Sequence, residues 1–358
     1  MILEVTYTKG VGIILMVLCH SMFKDIPFIY MFHMSLFFFV SGYCFKEKYI
    51  DEPFRFVWQK VKGIYYPYAK WSIIFLLLHN VLYGLNIYND SYGYNGFVSH
   101  LYTDVEFIDR IKSILLQMKG HEQLLGGLWF MKTLFWSYQI SYLSIYLSFK
   151  LERWCRCGHN LLIMLSVVGL MICCLLFNRL SMEIPLIELG PREFLASSLF
   201  MTGYYFKHKN IRQFTIYYIV LSFALVLLGS FYWFMSWTMF ASPYESLKLL
   251  PYMLTGVLAT WAVYSLPWAK LGCKITSMLK FIGNNTLTIL TWHFFTFKIV
   301  SLLIIKIYGL PIYRMAEFPV ITDYASSGWW VAYFLVSMAV CCLIAYCNRF
   351  IKYSWLKL

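Results

Sequence analysis

Predominantly apolar stretches of roughly 17 to 25 residues recur along this chain from one end to the other, which leaves it few folds. About 20 apolar residues carry a helix across the ~30 Å of hydrocarbon in a bilayer. Inside lipid only helices and closed barrels satisfy their own backbone hydrogen bonds. The apolar/polar alternation over about ten positions that marks a barrel strand is absent. Charged residues make up 13% of the chain and hydrophobic ones 60%, whereas a soluble globule carries about 25% charged residues. The expected fold is therefore all-α, a polytopic membrane helix bundle with the lipid bilayer as its partner.

Ten transmembrane helices are expected, at about 4–23, 28–45, 63–84, 127–148, 160–178, 189–206, 213–234, 246–264, 281–306 and 328–347. The first is expected to be retained, because neither basic residues before its apolar run nor a small-residue cleavage site is present. With the N-terminus inside, seventeen Lys and Arg fall in the inner segments and eight in the longer outer ones. Basic residues concentrate on the cytoplasmic side. Both termini are therefore expected in the cytoplasm and the long loop 85–126 outside. The net charge of +13 follows from this bias and calls for no nucleic acid. The ten cysteines are scattered, mostly inside spans, with no disulfide framework or CxxC pattern. A single transmembrane domain over 1–358 is expected.

Five short stretches place ionisable or polar groups where hydrocarbon makes them expensive. In YTKGVGIILMVLCHSMF, residues 7–23, Lys9 and His20 are eleven positions apart. They therefore point about 20° from each other on one helix face, ~16 Å apart along the axis. A connection of about four residues, 24–27, makes the first two helices an antiparallel hairpin. That puts His33, in IYMFHMSLFFFVSGY, at a height comparable with His20. In KFIGNNTLTILTWHFFTF, Thr286 and His293 share a helix face, and His293 stands about 20 Å above Lys280, near the same depth. Three histidines can meet there; the plainer alternative is that each imidazole hydrogen-bonds within the bundle. No metal is expected, since the spacing offers no HxxxH pair and no supporting carboxylate. In WQKVKGIYYPYAKW, Lys60 and Lys62 are either interfacial anchors beside tyrosines or a phosphate site at the mouth of the bundle. In GGLWFMKTLF, Trp129 suits an aromatic belt, whereas Lys132, one turn further in, does not.

Taken in order, these motifs resemble those of one family. KGVGIILMVLCHS resembles the first-helix motif of the acyltransferase-3 family of integral membrane acyltransferases, a basic residue with a His eleven positions later. FHMSLFFFVSGYCF resembles its second-helix motif, KVKGIYYPY its basic-x-basic element, GGLWFMKTLF its LWFL motif and IGNNTLTILTWHFF its late motif. The resemblance implies an O-acetyltransferase of the sugar or polysaccharide type, multi-pass in the inner (cytoplasmic) membrane. Such an enzyme moves an acyl group, commonly acetyl, from acyl-CoA to a hydroxyl of a sugar, polysaccharide precursor or lipid-linked glycan. It also implies His20 as the catalytic residue, Lys9 as its paired basic residue, and Lys60 with Lys62 on the coenzyme A phosphates. The family often carries Asp where this chain has Thr6, and Arg where it has Lys60 and Lys62. Lysine keeps the charge but loses bidentate phosphate recognition.

A sugar hydroxyl is a weak nucleophile, so a neutral His held by a partner and screened from water is the natural general base. His20 fits that role, with acetyl-CoA as co-substrate. His33, Trp129, Lys132, Thr286 and His293 are candidates for contacts to the substrate or to the oxyanion. The alternative from another class is a multi-pass transporter of a sugar or lipid-linked glycan. Transporters usually show paired halves, and no motif here has a second copy.

Overall fold

The computed structural model describes residues 3–23, 27–92, 98–155, 157–232 and 239–355. Part of the expected 24–27 connection and the counted basic residues Lys24, Arg156 and Lys357 lie outside the described residues. Twelve longer helices carry the described chain. They are α1 Leu3–His20, α2 His33–Tyr43, α3 Tyr66–Gly84, α4 Asp104–Gln117, α5 Trp129–Cys155 and α6 His159–Arg179. The rest are α7 Pro191–His208, α8 Ile216–Tyr232, α9 Leu249–Tyr264, α10 Cys273–Asn284, α11 Thr286–Tyr308 and α12 Trp330–Trp355. Among the described residues there is no strand, only an isolated bridge between Ile184 and Leu189.

Among the described residues, five helical stretches are long and apolar enough to cross a membrane: Leu3–His20, His159–Arg179, Pro243–Tyr264, Thr286–Tyr308 and Thr322–Phe350. Pro27–Tyr43 and Ile216–Tyr232 are apolar but shorter. The remaining expected spans coincide with α3, α5 and α7, whose polar residues, among them His79, Lys132 and Glu193, lower their hydropathy.

Two local features depart from the expected pattern. The loop 85–126 contains α4, whose start is a reciprocal cap: the Thr103 hydroxyl accepts from Glu106 N–H, and the Glu106 carboxylate accepts from Thr103 N–H at 2.9 Å. That Thr-x-x-Glu signal is readable in the sequence. The ninth expected span, 281–306, is interrupted at Asn285, so α11 begins only at Thr286; it ends at Gly309, whose φ of 62° suits a residue without Cβ.

The chain divides into two compact units, each drawn from three stretches of sequence, with a boundary inside α1 after Gly12. The first comprises 1–12, 27–66 and 130–280. Its helices approach through small residues, the device that lets backbones close in without a hydrophobic drive between them. A Cβ on Gly42 of α2 would lie 1.8 Å from the Phe200 carbonyl oxygen of α7, and one on Gly203 of α7 would lie 1.9 Å from the Phe39 oxygen of α2. Phe45, Phe56, Phe200 and Tyr204 fill the adjoining core.

The second unit comprises 13–26, 67–129 and 281–358. Here α11 packs on α12 through polar contacts as well as apolar ones. The Thr296 hydroxyl donates to Ser337 at 2.8 Å, and Ser301 and Tyr333 share a hydrogen bond of 2.9 Å. The tight turn Gln123–Leu128 lies on α11, where a Cβ on Gly127 would meet Leu290 at 3.0 Å and the His293 ring at 3.5 Å.

Candidate active site

The last residue of α1 and the second turn of α11 meet in the second unit. His20 Nδ1 lies 2.9 Å from His293 Nε2. The ring planes differ by 15° and the centroids are 5.1 Å apart, as expected for two imidazoles joined edge to edge by an in-plane N–H···N bond. Which nitrogen donates follows from the other partners. His293 Nδ1 faces the carbonyls of Leu290 at 2.9 Å and Ile289 at 3.2 Å. A carbonyl can only accept, so Nδ1 of His293 carries its hydrogen and its Nε2 carries the lone pair. His20 must then donate from Nδ1, which leaves its own lone pair on Nε2. His293 is wholly buried whereas His20 is half-buried. Phe294 packs on both rings, with centroids 4.7 Å from His20 and 4.0 Å from His293. A proton acceptor held in one tautomer by a dry partner is what general-base chemistry requires.

The basic residues are described in the first unit. The short helix Pro53–Lys60 runs into a wide π-helical turn at Val61–Tyr65. Being two positions apart on helical backbone, Lys60 and Lys62 leave it on roughly opposite sides. Lys60 turns inward, its Nζ 3.6 Å from the Tyr138 ring centroid and 5.4 Å from that of Phe56. Burial pushes the Lys60 ammonium down to about 8. Lys62 is exposed, with Nζ 5.0 Å from the Trp58 ring. Lys9, Lys60 and Lys207 all lie near enough to the C-terminal end of α2 to act electrostatically on Cys44 there, and Lys207 Nζ donates to the Phe45 carbonyl. Cations are favoured at a helix C-terminus.

A family model described as an acyltransferase domain matches residues 2–346. The chain belongs to the acyltransferase-3 family. No curated protein and no solved structure matches it.

The other candidate residues of this acyltransferase have diverse surroundings. His33 is buried in the first unit and donates from Nδ1 to the Ile29 carbonyl at 2.9 Å, so only His20 and His293 of the three histidines are bonded to one another. Thr286 opens α11 two turns before His293 on the same face, about 10 Å lower. Trp129 is the half-buried first residue of α5. Lys132 is paired with Glu188 at 3.1 Å, both side chains largely out of solvent. Glu193 nearby is buried and accepts from the Thr133 hydroxyl at 2.8 Å and Gly190 N–H at 2.9 Å. Sequence reasoning missed Lys207, Phe294 and the Glu188 partner of Lys132. Only the last had a signal: a lysine inside a span needs an acid, and Glu183, Glu188 and Glu193 flank the start of α7.

Proposed function

We propose that this acyltransferase moves an acyl group, acetyl in the simplest case, from acyl-coenzyme A to a hydroxyl of a sugar, polysaccharide precursor or lipid-linked glycan, with His20 as general base. The observation that carries this reading is the His20–His293 hydrogen bond and the tautomer it imposes. In the proposed step, His20 Nε2 takes the hydroxyl proton as the acceptor oxygen attacks the thioester carbonyl. The tetrahedral intermediate then expels the coenzyme A thiolate, which recovers that proton from the imidazolium, so that an ester and a free thiol leave and His20 is neutral again.

His293 in this tautomer accepts at Nε2, so it stabilises the imidazolium form of His20 rather than donating to an oxyanion. Thr286, His33, Trp129 and Lys132 remain the candidates for donor or acceptor contacts. The donor's phosphates suit Lys9, Lys60 and Lys62 as point charges. In this reading the chain is one transmembrane domain of ten spans in the inner membrane, with both termini cytoplasmic, so the basic groups face the compartment where acyl-coenzyme A is made. None of the described geometry favours the transport alternative.

The test is acyl transfer from labelled acetyl-coenzyme A in membranes containing wild type or His20→Ala at equal protein levels. A drop of about 10² to 10⁴ in turnover is expected from loss of a general base. Activity near that of wild type would overturn the assignment.

A further inference from the structure

Lys298 is 3% exposed on α11, five residues beyond His293. An ammonium inside an apolar helix is expensive, and such groups are kept where they serve a site. Its hydrogen bonds go to main chain: Nζ donates to the carbonyls of Met315 at 3.0 Å and Glu317 at 2.6 Å, and it stands 6.0 Å from the Phe318 ring centroid. The Glu317 carboxylate itself is paired with Arg314. The segment so gripped is pinned at three further points. Asn89 Nδ2 donates to the Tyr313 carbonyl at 2.8 Å, Gln123 Nε2 to that of Ala316 at 3.3 Å, and Ile321 N–H to the Tyr333 hydroxyl at 3.1 Å.

What the segment delivers is Phe318. Its ring packs on Phe294 with centroids 4.6 Å apart, and Phe294 is the ring that packs on both His20 and His293. The space behind is closed as well, since a Cβ on Gly126 would stand 3.5 Å from Phe318 and 3.6 Å from Phe294. Asn89 holds Tyr313 before the segment and Gln123 holds Ala316 within it; Lys298 alone of these groups sits on the histidine helix and reaches the residues on either side of Ala316, one of them next to Phe318.

We infer that Lys298 is a positioning residue for the histidine pair. By tying Met315 and Glu317 to α11 it seats Phe318 on Phe294, and Phe294 in turn keeps the two imidazoles in the near-common plane their hydrogen bond needs. This rests on the reading of His20 as the base. Lys298 touches neither imidazole, so its removal should loosen ring placement while leaving the basic groups of the first unit in place.

The experiment compares wild type, Lys298→Met, Lys298→Arg and His20→Ala in membranes, at matched protein levels, over a range of acetyl-coenzyme A concentrations. Lys298→Met should lower kcat by up to about 10²-fold, the cost of a misplacement near 1 Å, with KM for the donor unchanged. Lys298→Arg should recover most of that loss, because a guanidinium can donate to both carbonyls. Wild-type kcat in Lys298→Met overturns the inference, as does a loss in KM rather than kcat or a loss that Arg does not rescue. If His20→Ala is inactive while Lys298→Met is normal, only the positioning role fails. If His20→Ala is fully active, the base assignment fails and takes this inference with it.

Discussion

His20 and His293 lie 273 positions apart in the chain, yet their imidazoles share one hydrogen bond of 2.9 Å whose direction is set by two backbone carbonyls. A base oriented by a third group is the general logic of activated hydroxyl chemistry. Here the third group is a neutral imidazole anchored to its own helix, so each neighbour of His293 bears on how well His20 is aimed.

Substituting His293 tests that orientation. His293→Ala leaves the His20 Nδ1 hydrogen without its acceptor and opens a cavity beside Phe294, and turnover should fall by about 10²-fold. His293→Gln supplies an acceptor oxygen and an amide donor, and should retain more activity than His293→Ala. Turnover at saturating acetyl-coenzyme A is the measurement. Equal loss in the two variants would mean that packing at this position matters and the acceptor does not.

The state of Lys60 should appear in the pH dependence of donor binding. Burial holds this ammonium to about 8, so it is charged below that pH and neutral above it. Attraction for phosphate is therefore present at the lower pH and lost as pH rises through 8. The apparent KM for acetyl-coenzyme A should climb between about pH 7 and about pH 9, whereas free lysine would hold its charge to ~10.4. Lys60→Ala should remove this climb and weaken the salt dependence of KM. Lys62, exposed over Trp58 and pointing away, should matter less. A KM that is flat with pH in wild type would return Lys60 to the role of an interfacial anchor.

The α2–α7 contact predicts where stability is most sensitive. Gly42→Ala and Gly203→Ala would drive a methyl group into the Phe200 or Phe39 carbonyl, at 1.8 and 1.9 Å, and backbone must move. Each should cost at least the ~1–3 kcal/mol typical of overpacking. Gly169→Ala, in the middle of α6 with nothing within 4 Å of the added carbon, serves as the control. It should be neutral or stabilising, by about 0.5–1 kcal/mol, from helix propensity alone. Thermal unfolding of the detergent-solubilised protein distinguishes the two outcomes.

The proposed orientation is open to thiol labelling in a cysteine-free background. An impermeant reagent applied to intact cells should modify Asp109→Cys, on α4 in the loop 85–126, and leave Lys209→Cys, after α7, unmodified until the cells are opened. Both positions are exposed. The reverse pattern would place the basic groups on the outer side and remove the cytoplasmic route proposed for the donor.

Much of this molecule is legible in the sequence because the physics that specifies it is local. Apolar segments of bilayer length demand helix, since lipid offers no other partner to the backbone. The Thr103–Glu106 cap, the Gly309 stop and the shared face of Thr286 and His293 all follow from spacings of three to seven residues. The Lys9–His20 stripe on α1 is of the same kind, and the ordered motifs led to the family for that reason.

Tertiary structure decided the choice of partners. Depth made His33 and His293 equal candidates to meet His20. The register of α11 against the end of α1 selected His293, and the carbonyls of Ile289 and Leu290 then fixed the tautomer. The basic-x-basic element offered Lys60 and Lys62 as a pair, but residues two apart leave a helix on opposite sides, and packing puts one on Tyr138 and the other on Trp58. Lys132 finds Glu188, and Lys298 finds the carbonyls of Met315 and Glu317, across gaps that no periodicity encodes. Helical spacing determines the face from which a side chain projects; which group it meets depends on how helices distant in sequence pack together, and that only the folded chain determines.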